Sequence, residues 1–398
     1  MSTKAGQLHR AAGEQAYPDA DYDLAAACWL SGRVLETACQ AQPALLLLDE
    51  ARRRFEAFEK QQPGRGAQQM ASACITEQAD CLRALGRFDE AATAYEESLR
   101  RDEQNGAERD VAVGKSQLGS VRLQQGRYPE ALAAYDEARQ RFTALGEPRS
   151  IATIWHQIGR VHQASGQADA AEDAYRQSLA IKVRLGDAAG QASTLGQLGN
   201  LYDSVLQRPE EAASFHRQAA DQYERLHDEA NEGRARSNLA DTLRRLGRLD
   251  EARQAILRAI VCKAPSGHAA EPWKTFAIRS DIETDAGNAA AAAQARTQAL
   301  DAFLAYRRDG GENHDGDGRL ALAVRQALQA EQTAELIGEL RQLAGNPEID
   351  ARLRACIDAL LAIVAGSRDR RLAEMPGLFF TSAAEILLLL EALEAAET

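Results

Sequence analysis

Residues able to do acid–base, nucleophilic or metal chemistry are common in this 398-residue chain, but their spacing matches no catalytic motif. The chain contains 59 acidic residues, seven histidines and six cysteines. It has no Walker-type phosphate loop, no Gly-x-Ser-x-Gly elbow, no His-Glu-x-x-His pair and no Rossmann glycine run after a strand. We therefore expect a protein that is not an enzyme and that needs no cofactor.

Two places in the chain match metal-binding patterns only in part. His156 and His162 lie six residues apart, so on one helix they face different directions and make a poor pair of ligands. Asp315 and Asp317 have the spacing of a calcium loop, but Arg319 stands where that loop needs its third oxygen ligand. We predict that the protein has no metal site.

Composition argues against two classes of partner. The net charge is −12, whereas a nucleic-acid binder needs a basic face. No stretch reaches the ~18 apolar residues that can span a bilayer. The six cysteines include no Cys-x-x-Cys pair, which favours a reduced, cytoplasmic protein. We expect neither a nucleic acid nor a membrane as partner.

A three-residue pattern, Asp-Glu-Ala or a close relative, returns about every forty residues. Counted at its alanine, the steps are 40, 40, 40, 41, 40 and 40. A period in this range is typical of a solenoid, in which stacked units share one core because no unit buries its own apolar face. The alanines are Ala51, Ala91, Ala131, Ala171, Ala212, Ala252 and Ala292.

One repeat shows how the units are built. A helix that carries Leu118 and Gly119 ends before Gly126, and Pro129 suits the first turn of a second helix because its missing N–H has no helical partner there. Other repeats keep a small residue at the Gly119 position, where two helices must approach closely, and a large side chain in the second helix. The small residues are Ala79, Gly119, Gly159, Gly199 and Ala240, and the large ones are Phe55, Tyr95, Tyr135 and Tyr175, followed by His216 and Ile256.

The turns between helices follow the same pattern with one interruption. Turns between repeats end in Glu147, Asp187 and Asp228, and each of these acids can cap the helix that follows. Around Leu206-Gln207-Arg208 the turn glycine is missing and one residue is inserted, which accounts for the single step of 41.

The residues that carry a family resemblance are Leu118-Gly119, Gly126, Ala131, Tyr135, Ala138, Leu185-Gly186-Asp187 and Leu198-Gly199-Asn200. They resemble the tetratricopeptide repeat, whose usual length is 34 residues. The forty-residue period is similar to the longer variety of kinesin light chain and the spindle-orientation Pins family. The match covers roughly residues 22–308 and departs most in the seventh repeat, where Arg279-Ser280 replaces Leu-Gly.

The resemblance implies an all-α fold: a right-handed α-solenoid of about seven helical hairpins with a C-terminal helical bundle or cap. We expect four segments along the chain. These are a polar N-terminal segment (1–21), the repeats (22–306), a glycine-rich loop (307–318) and a C-terminal helical region (319–398).

The resemblance also implies that the first helix of each hairpin lines a concave groove in which a peptide or protein partner binds. Residues three or four apart share one face of such a helix. The candidate partner-binding residues are Gln117, Ser120, His156, Gln157, Arg160, Gln197, Asn200, Arg234, Asn238, Asp241 and Lys274, with Ser116, Gln163, Asp203 and Arg245 on the same faces.

Amides are frequent among these candidates, which suits binding to an extended peptide main chain without demanding one side-chain sequence. Asn200, Asn238 and Lys274 also resemble part of the tetratricopeptide clamp for a terminal carboxylate. Gly196 and Ile278, however, stand where that clamp has basic residues. The alternative interpretation of each candidate is an ordinary solvated polar residue.

Beyond the glycine-rich loop the sequence remains helical without the forty-residue period. Ser382 and Glu385 form a capping-box pattern ahead of residues 386–390, a run of Ile and Leu that is apolar on nearly every side and must be enclosed. We expect this helix to be buried within the tail or against the seventh repeat. The alternative is a docking helix for a second protein or for self-association with a second copy of this chain.

Two functions compete at this point. The first is a non-catalytic scaffold or adaptor that binds a protein or peptide in the groove. The second is a sensor or regulatory subunit that passes ligand binding to a partner ATPase, protease or other effector, because the stretch from Ala270 onward resembles bacterial tetratricopeptide proteins, some of which are sensor arms of signalling ATPases. A peptide-pheromone transcription regulator would need a helix-turn-helix module, and the first forty residues offer no basic recognition helix.

Overall fold

The regular structure of this chain is helical. The computed structural model describes residues 19–330 and 332–397, which contain no strand, so the predicted all-α fold is confirmed. Most of the predicted N-terminal segment, residues 1–18, lies outside the described residues. The α-helices of the described residues are α1 (Ala20–Thr37), α2 (Ala41–Gln61), α3 (Ala67–Ala84), α4 (Phe88–Gln104), α5 (Glu108–Gln124), α6 (Tyr128–Ala144), α7 (Pro148–Ala164), α8 (Ala168–Arg184), α9 (Ala188–Ser204), α10 (Pro209–Arg225), α11 (Glu229–Arg245), α12 (Leu249–Lys263), α13 (Pro272–Asp285), α14 (Ala289–Arg308), α15 (Gly316–Gln329), α16 (Thr333–Ala344), α17 (Ala351–Val364) and α18 (Phe380–Glu397).

The chain divides into two compact units, with the boundary between Leu206 and Gln207. The first unit contains the hairpins α1/α2, α3/α4, α5/α6 and α7/α8, followed by α9. The second unit contains α10, the hairpins α11/α12 and α13/α14, and the tail helices α15 to α18. In chain order, α1 to α14 are the seven helix pairs that the repeat predicts.

The forty-residue pattern marks the inside of each hairpin. The repeated alanine is fully buried in the first six pairs, from Ala51 to Ala252, and nearly so at Ala292. The large side chain of the second helix is also buried at each of the six predicted positions. These buried residues explain why the second helix of a pair tolerates polar side chains elsewhere.

The small residue of the first helix allows the buried ring of the second helix to lie against its backbone. A Cβ atom added to Gly119 would lie 3.0 Å from the ring of Tyr135, and one added to Gly159 would lie 2.6 Å from the ring of Tyr175. Real Cβ atoms essentially never approach a ring carbon as closely as the second distance. The predicted close approach of the two helices is therefore confirmed in these hairpins.

Left-handed residues end the first helix of each hairpin. Gly126, with a φ of 72°, donates its N–H to the carbonyl of Leu123 at 3.0 Å, and Arg127 donates to the carbonyl of Arg122 at 2.8 Å. Cys39 and Gln207 take the same left-handed conformation without being glycine. Gln207 occupies the place where the sequence shows an insertion, and Cys39 is exposed while the other five cysteines are buried.

The acids in the turns between repeats do not all act as caps. Asp187 accepts the backbone N–H of Gly190 at 3.0 Å, and Asp228 accepts that of Asn231 at 3.1 Å. The prediction is wrong for Glu147, whose longer carboxylate accepts from the Ser150 hydroxyl at 2.7 Å and from an arginine side chain.

The glycine-rich loop is shorter at both ends than the predicted range 307–318. Helix α14 continues to Arg308 and α15 begins at Gly316. The last turn of α14 stays helical because its arginines are held by α18: Arg307 donates to both carboxylate oxygens of Glu385 at 2.8 and 3.1 Å, and Arg308 donates to Glu391 at 2.7 Å.

The predicted capping box at Ser382 and Glu385 is wrong. Helix α18 begins at Phe380, so Ser382 lies inside its first turn. The hydroxyls of Thr381 and Ser382 instead donate to Asp317 at 2.6 and 3.1 Å, and Glu385 is occupied by Arg307. Asp317 is one of the two aspartates with the spacing of a calcium loop, and these contacts show that it holds the start of α18.

Helix α18 is enclosed, as its apolar sequence predicts. Phe380 and Ala384 pack with Trp273 of α13 and with Phe303 and Leu304 of α14. Its Ile and Leu residues pack with α17 in a second cluster. The fully buried Ile and Leu residues of this cluster are Ile357, Leu360, Ile363, Ile386 and Leu390. The tail is thus joined to the seventh helix pair.

The close approach at Gly159 generates the first prediction. Gly159→Ala forces the ring of Tyr175 to shift, and overpacking of this kind costs about 1–3 kcal/mol. Gly196→Ala is the matched control, because it lies in helix α9 with no atom within 4 Å of the added Cβ, and alanine there stabilises the helix by about 0.5–1 kcal/mol. Calorimetric melting of the two variants should shift in opposite directions; equal shifts would contradict the packing argument.

The ion pair between α14 and α18 generates the second prediction. Glu385 is 4% exposed, and Glu385→Ala leaves the guanidinium of Arg307 half-buried without its partner, which costs about 3 kcal/mol. Glu391→Ala removes two more exposed pairs, with Arg308 of α14 and with Arg370, and should cost less than about 1 kcal/mol for each. Thermal unfolding of both variants checks the difference, and a loss of similar size in both would contradict it.

Candidate partner-binding face

Three glutamines occupy one position on consecutive first helices of the first unit. Gln117 lies on α5, Gln157 on α7 and Gln197 on α9, forty residues apart, and all three are partly exposed. We call them the amide ladder. Helix α3 carries Glu77 at the same position.

Polar neighbours of the ladder are tied to the buried tyrosines of the second helices. The hydroxyls of Ser120 and Tyr135 lie 2.8 Å apart, and Tyr175 donates to the amide oxygen of Gln163 at 2.8 Å. Arg160 donates to Gln157 at 3.0 Å. These contacts fix the side chains of the face in place before any partner binds.

His156 is held inside the face by the next repeat. Its Nδ1 lies 3.2 Å from the hydroxyl of Thr194 on α9, and its ring meets Tyr175 edge-on. Lys182 donates to the same hydroxyl at 2.8 Å. Burial, together with the charges of Lys182 and Arg160, lowers the pKa of His156 to about 3, so the ring is neutral and joins two repeats.

The candidates of the second unit are exposed or partly exposed, and most of them pair with residues three or four positions away in the chain. Arg234 donates to Asn231 at 2.6 Å, and Lys274 pairs with Glu271 at 2.6 Å. Asp241 pairs with Arg244 at 3.1 Å and with Arg245 at 3.4 Å. Asn238 is exposed on the same helix as Arg234. The structure brings Arg234, Asn238 and Asp241 onto α11, whereas Lys274 is on α13.

Sequence fragments that could suggest other chemistry lie within helices or are already occupied. Gly114-Lys115-Ser116 is part of α5, not a phosphate loop, and Lys115 pairs with Glu137 at 2.7 Å. Across residues 19–330 and 332–397, no group of three His, Cys, Asp or Glu side chains is arranged to hold a metal ion. No helix in the same residues is long and apolar enough to cross a bilayer.

Sequence reasoning missed an acidic cleft in the first unit. The cleft has a volume of about 460 Å³ and lies among α3, α4 and α5. Its signal in the sequence is a set of departures from the repeat, at positions where neighbouring repeats carry other residues. The departures among the lining residues are Ser72, Glu77, Asp102, Asp110 and Gly114, and Gln117, which keeps the repeat, also lines the cleft.

Two carboxyls of the acidic cleft are held partly protonated near neutral pH. Burial, reinforced by the charge of Asp110, raises the pKa of Asp102 to about 6. Burial also raises the pKa of Glu77 to about 7, with Glu36 and Asp80 adding to the shift against the opposing effect of Arg33.

Antiparallel helix pairs that repeat every forty residues around shared alanine and tyrosine layers define an α-solenoid. Family models described as tetratricopeptide repeat match residues 110–182 and 190–260, and a second such model matches residues 73–107. The chain therefore contains tetratricopeptide repeats in these residues, and repeats of this kind imply protein–protein interaction.

Several solved structures are similar to this chain in fold. BtubC (BKLC) from P. vanneervenii is 21% identical over 57% of this chain and 92% of that one, with a TM-score of 0.49. The apo form of RapI is 13% identical over 66% and 90%, with a TM-score of 0.50. A signal-transduction ATPase with numerous domains and a tetratricopeptide repeat sensor, PH0952 from Pyrococcus horikoshii, is 12% identical over 78% and 49%, with a TM-score of 0.56. Among curated proteins, none has a significantly matching sequence.

The raised pKa of Asp102 generates the third prediction. Because the folded chain binds this proton more tightly than the unfolded chain, the wild type loses stability as the pH rises from about 4 to about 6. Asp102→Asn removes that loss, so the variant should melt a few degrees above the wild type at pH 7.5 and close to it at pH 4.5.

Asp136→Asn serves as the control for this measurement. A hydrogen bond from Arg139 lowers the pKa of Asp136, so that this carboxylate stabilises the fold above its ordinary pKa. Its removal should lower the melting temperature slightly at pH 7.5. If Asp102→Asn also melts lower at pH 7.5, Asp102 is not destabilised by its burial.

Proposed function

We propose that this chain is a non-catalytic scaffold that binds an extended peptide segment of a protein partner along the first helices of its first unit. The observation that carries the proposal is the amide ladder: Gln117, Gln157 and Gln197 repeat at one position and remain partly exposed. An amide offers both a donor and an acceptor, which are the groups that a peptide main chain needs.

The spacing of the ladder fits an extended chain. Packed helices lie ~8–10 Å apart, and an extended peptide advances ~3.3 Å per residue. One step of the ladder therefore corresponds to about three residues of peptide. The ties of Ser120, Gln163 and Arg160 hold the surrounding side chains, which lowers the entropy lost on binding.

A sensor or regulatory subunit is the second candidate. It is favoured by the division of the chain into two compact units at Leu206 and Gln207, where the repeat loses its turn glycine and gains a residue. Under this alternative, the same face binds the ligand and the effector is an ATPase, a protease or another enzyme.

Partner capture with a ladder variant tests the proposal. The full chain is immobilised, exposed to lysate of its source organism, and the retained proteins are quantified by mass spectrometry. Gln157→Ala combined with Gln197→Ala should reduce the retained partner by roughly 5- to 100-fold, since each lost hydrogen bond contributes about 0.5–1.5 kcal/mol. Its melting temperature should change little, because each surface substitution costs within about 0.5 kcal/mol.

The control pair is Gln140→Ala with Gln177→Ala, on the exposed sides of the second helices α6 and α8. It should retain the partner at the wild-type level. Equal retention by both double variants would refute binding along the ladder. The identity of the partner separates the candidates: an ATPase or protease that is regulated by the chain supports the sensor, and a partner with no such activity supports the scaffold.

A further inference from the structure

Two residues of the acidic cleft are smaller than their counterparts one repeat later. Asp102 occupies the position of Phe142 in the next repeat, which is buried there. Gly114 occupies the position of Ile154, which is also buried. Aspartate does not fill the space that phenylalanine fills one repeat later, and the cleft has a volume of about 460 Å³. At Gly114 the space beside the backbone is taken by Leu99, whose side chain lies 2.8 Å from where a Cβ atom would stand.

Two polar atoms without hydrogen-bond partners also line this space. Ser72 stands where the following repeats have Ala112 and Ala152. It is 4% exposed, it lines the cleft, and its hydroxyl oxygen has no hydrogen-bond partner. The amide oxygen of Gln117, which also lines the cleft, has no partner either. Because an unpaired buried acceptor costs free energy, both oxygens would be stabilised by a donor from a ligand.

Carboxylates dominate the lining of the cleft, and the nearest paired cation is Arg33 of α1, which lies 3.4 Å from Glu77. Glu77, Asp102 and Asp110 line it, and within the described residues no lysine, arginine or histidine does. Beside the cleft, Asp80 accepts from Tyr95 at 2.6 Å and from Gln117 at 3.3 Å, and it is paired with Arg83 at 3.4 Å. A cation in the cleft would therefore meet carboxylates on three helices.

We infer that the acidic cleft binds an arginine side chain of the partner peptide. A guanidinium carries five N–H donors in a planar fork and no acceptor, which matches a site made of carboxylates and unpaired oxygens. A volume of about 460 Å³ lies in the range of ligand pockets and accommodates one such side chain with its flanking main chain. The inference rests on the proposed peptide binding, because the cleft includes Gln117, the first member of the amide ladder.

Protonation of Asp102 and Glu77 changes the negative charge of the cleft. Asp102, which faces Asp110 of α5 and the Ser98 hydroxyl of its own helix, has its pKa raised to about 6 by burial. Its negative charge develops as the pH passes through that value. Glu77 faces Arg33 and Glu36 of α1 and Asp80 of its own helix, and its pKa of about 7 adds a second such step. Affinity for a guanidinium should therefore rise between pH 5 and pH 8.

Three capped peptides test the inference on the full chain: Ala-Ala-Xaa-Ala-Ala, in which Xaa is arginine, lysine or citrulline. Citrulline has nearly the shape of arginine without its charge. Saturation-transfer NMR titrations at pH 7.5 should show arginine binding at least tenfold more tightly than citrulline and more tightly than lysine. The affinity for the arginine peptide should fall severalfold at pH 5.5.

Two variants locate the binding. Asp102→Asn should lower the affinity for the arginine peptide at least fivefold, although it does not lower the stability of the protein at pH 7.5. Asp102→Phe should abolish binding by filling the space as Phe142 does one repeat later. Asp136→Asn, a carboxylate of α6 outside the cleft, should bind as the wild type does.

The outcomes separate the inference from the proposed function. Three results would overturn the cleft as an arginine site: equal binding of the arginine and citrulline peptides, no binding of any peptide, or binding that Asp102→Asn leaves unchanged. In each case, loss of a captured partner in the ladder variant would still support the scaffold. The opposite result is also possible to distinguish. If Asp102→Asn weakens binding of the arginine peptide while the ladder variant retains every captured partner, the arginine site is supported and peptide binding along the amide ladder is refuted.

Discussion

The contact on which the repeats depend is that of a buried ring with the backbone of the preceding helix. Tyr135 and Tyr175 lie against Gly119 and Gly159 so closely that a methyl group there would displace them. The contact sets how near the two helices approach, and the phenolic oxygens then reach Ser120 and Gln163 on the exposed side. One packing constraint thus orders both the core and the polar face, because the ring of each tyrosine lies in the core and its hydroxyl lies at the face.

The sequence predicts this core well because the pattern is local and repeated seven times. The alanine returns in register in seven pairs, the large residue in six and the small residue in five, so an irregular position in one repeat is recognised from the others. The ends of the tail elements could not be predicted in this way. Glu385 looks like half of a capping box until Arg307, 78 residues earlier, is seen to occupy it. Contacts between residues so distant in the chain leave no periodic signal.

The candidate face was predicted in part for the same reason. Helical periodicity finds residues on one side of a helix, so the amide ladder follows from the sequence, but it does not reveal which of them the next repeat will cover. His156 lies on the predicted side and is nevertheless held by Thr194 and Tyr175. The acidic cleft was missed because most of its residues depart from the repeat. The sequence alone does not show whether such a change leaves an open space or is filled by a neighbouring side chain.

Charged residues elsewhere in the chain are arranged to satisfy one another. At the start of several second helices a turn arginine pairs with a glutamate three residues later; the pairs are Arg87 with Glu90, Arg127 with Glu130, Arg208 with Glu211 and Arg248 with Glu251. Asp102 and Asp110 have no such ion pair in the described residues. Against this background of local neutralisation, Asp102 and Asp110 retain the ability to attract a cation from outside the chain.

The turn between α1 and α2 has a practical consequence. Cys39 takes the left-handed position that glycine takes in most other hairpins, and it is exposed while the remaining five cysteines are buried. Burial raises the pKa of the thiols of Cys74, Cys81, Cys262 and Cys356, which slows their reaction with alkylating reagents. A maleimide should therefore attach a fluorophore or a surface tether at one defined point of the natural chain, without any engineered cysteine.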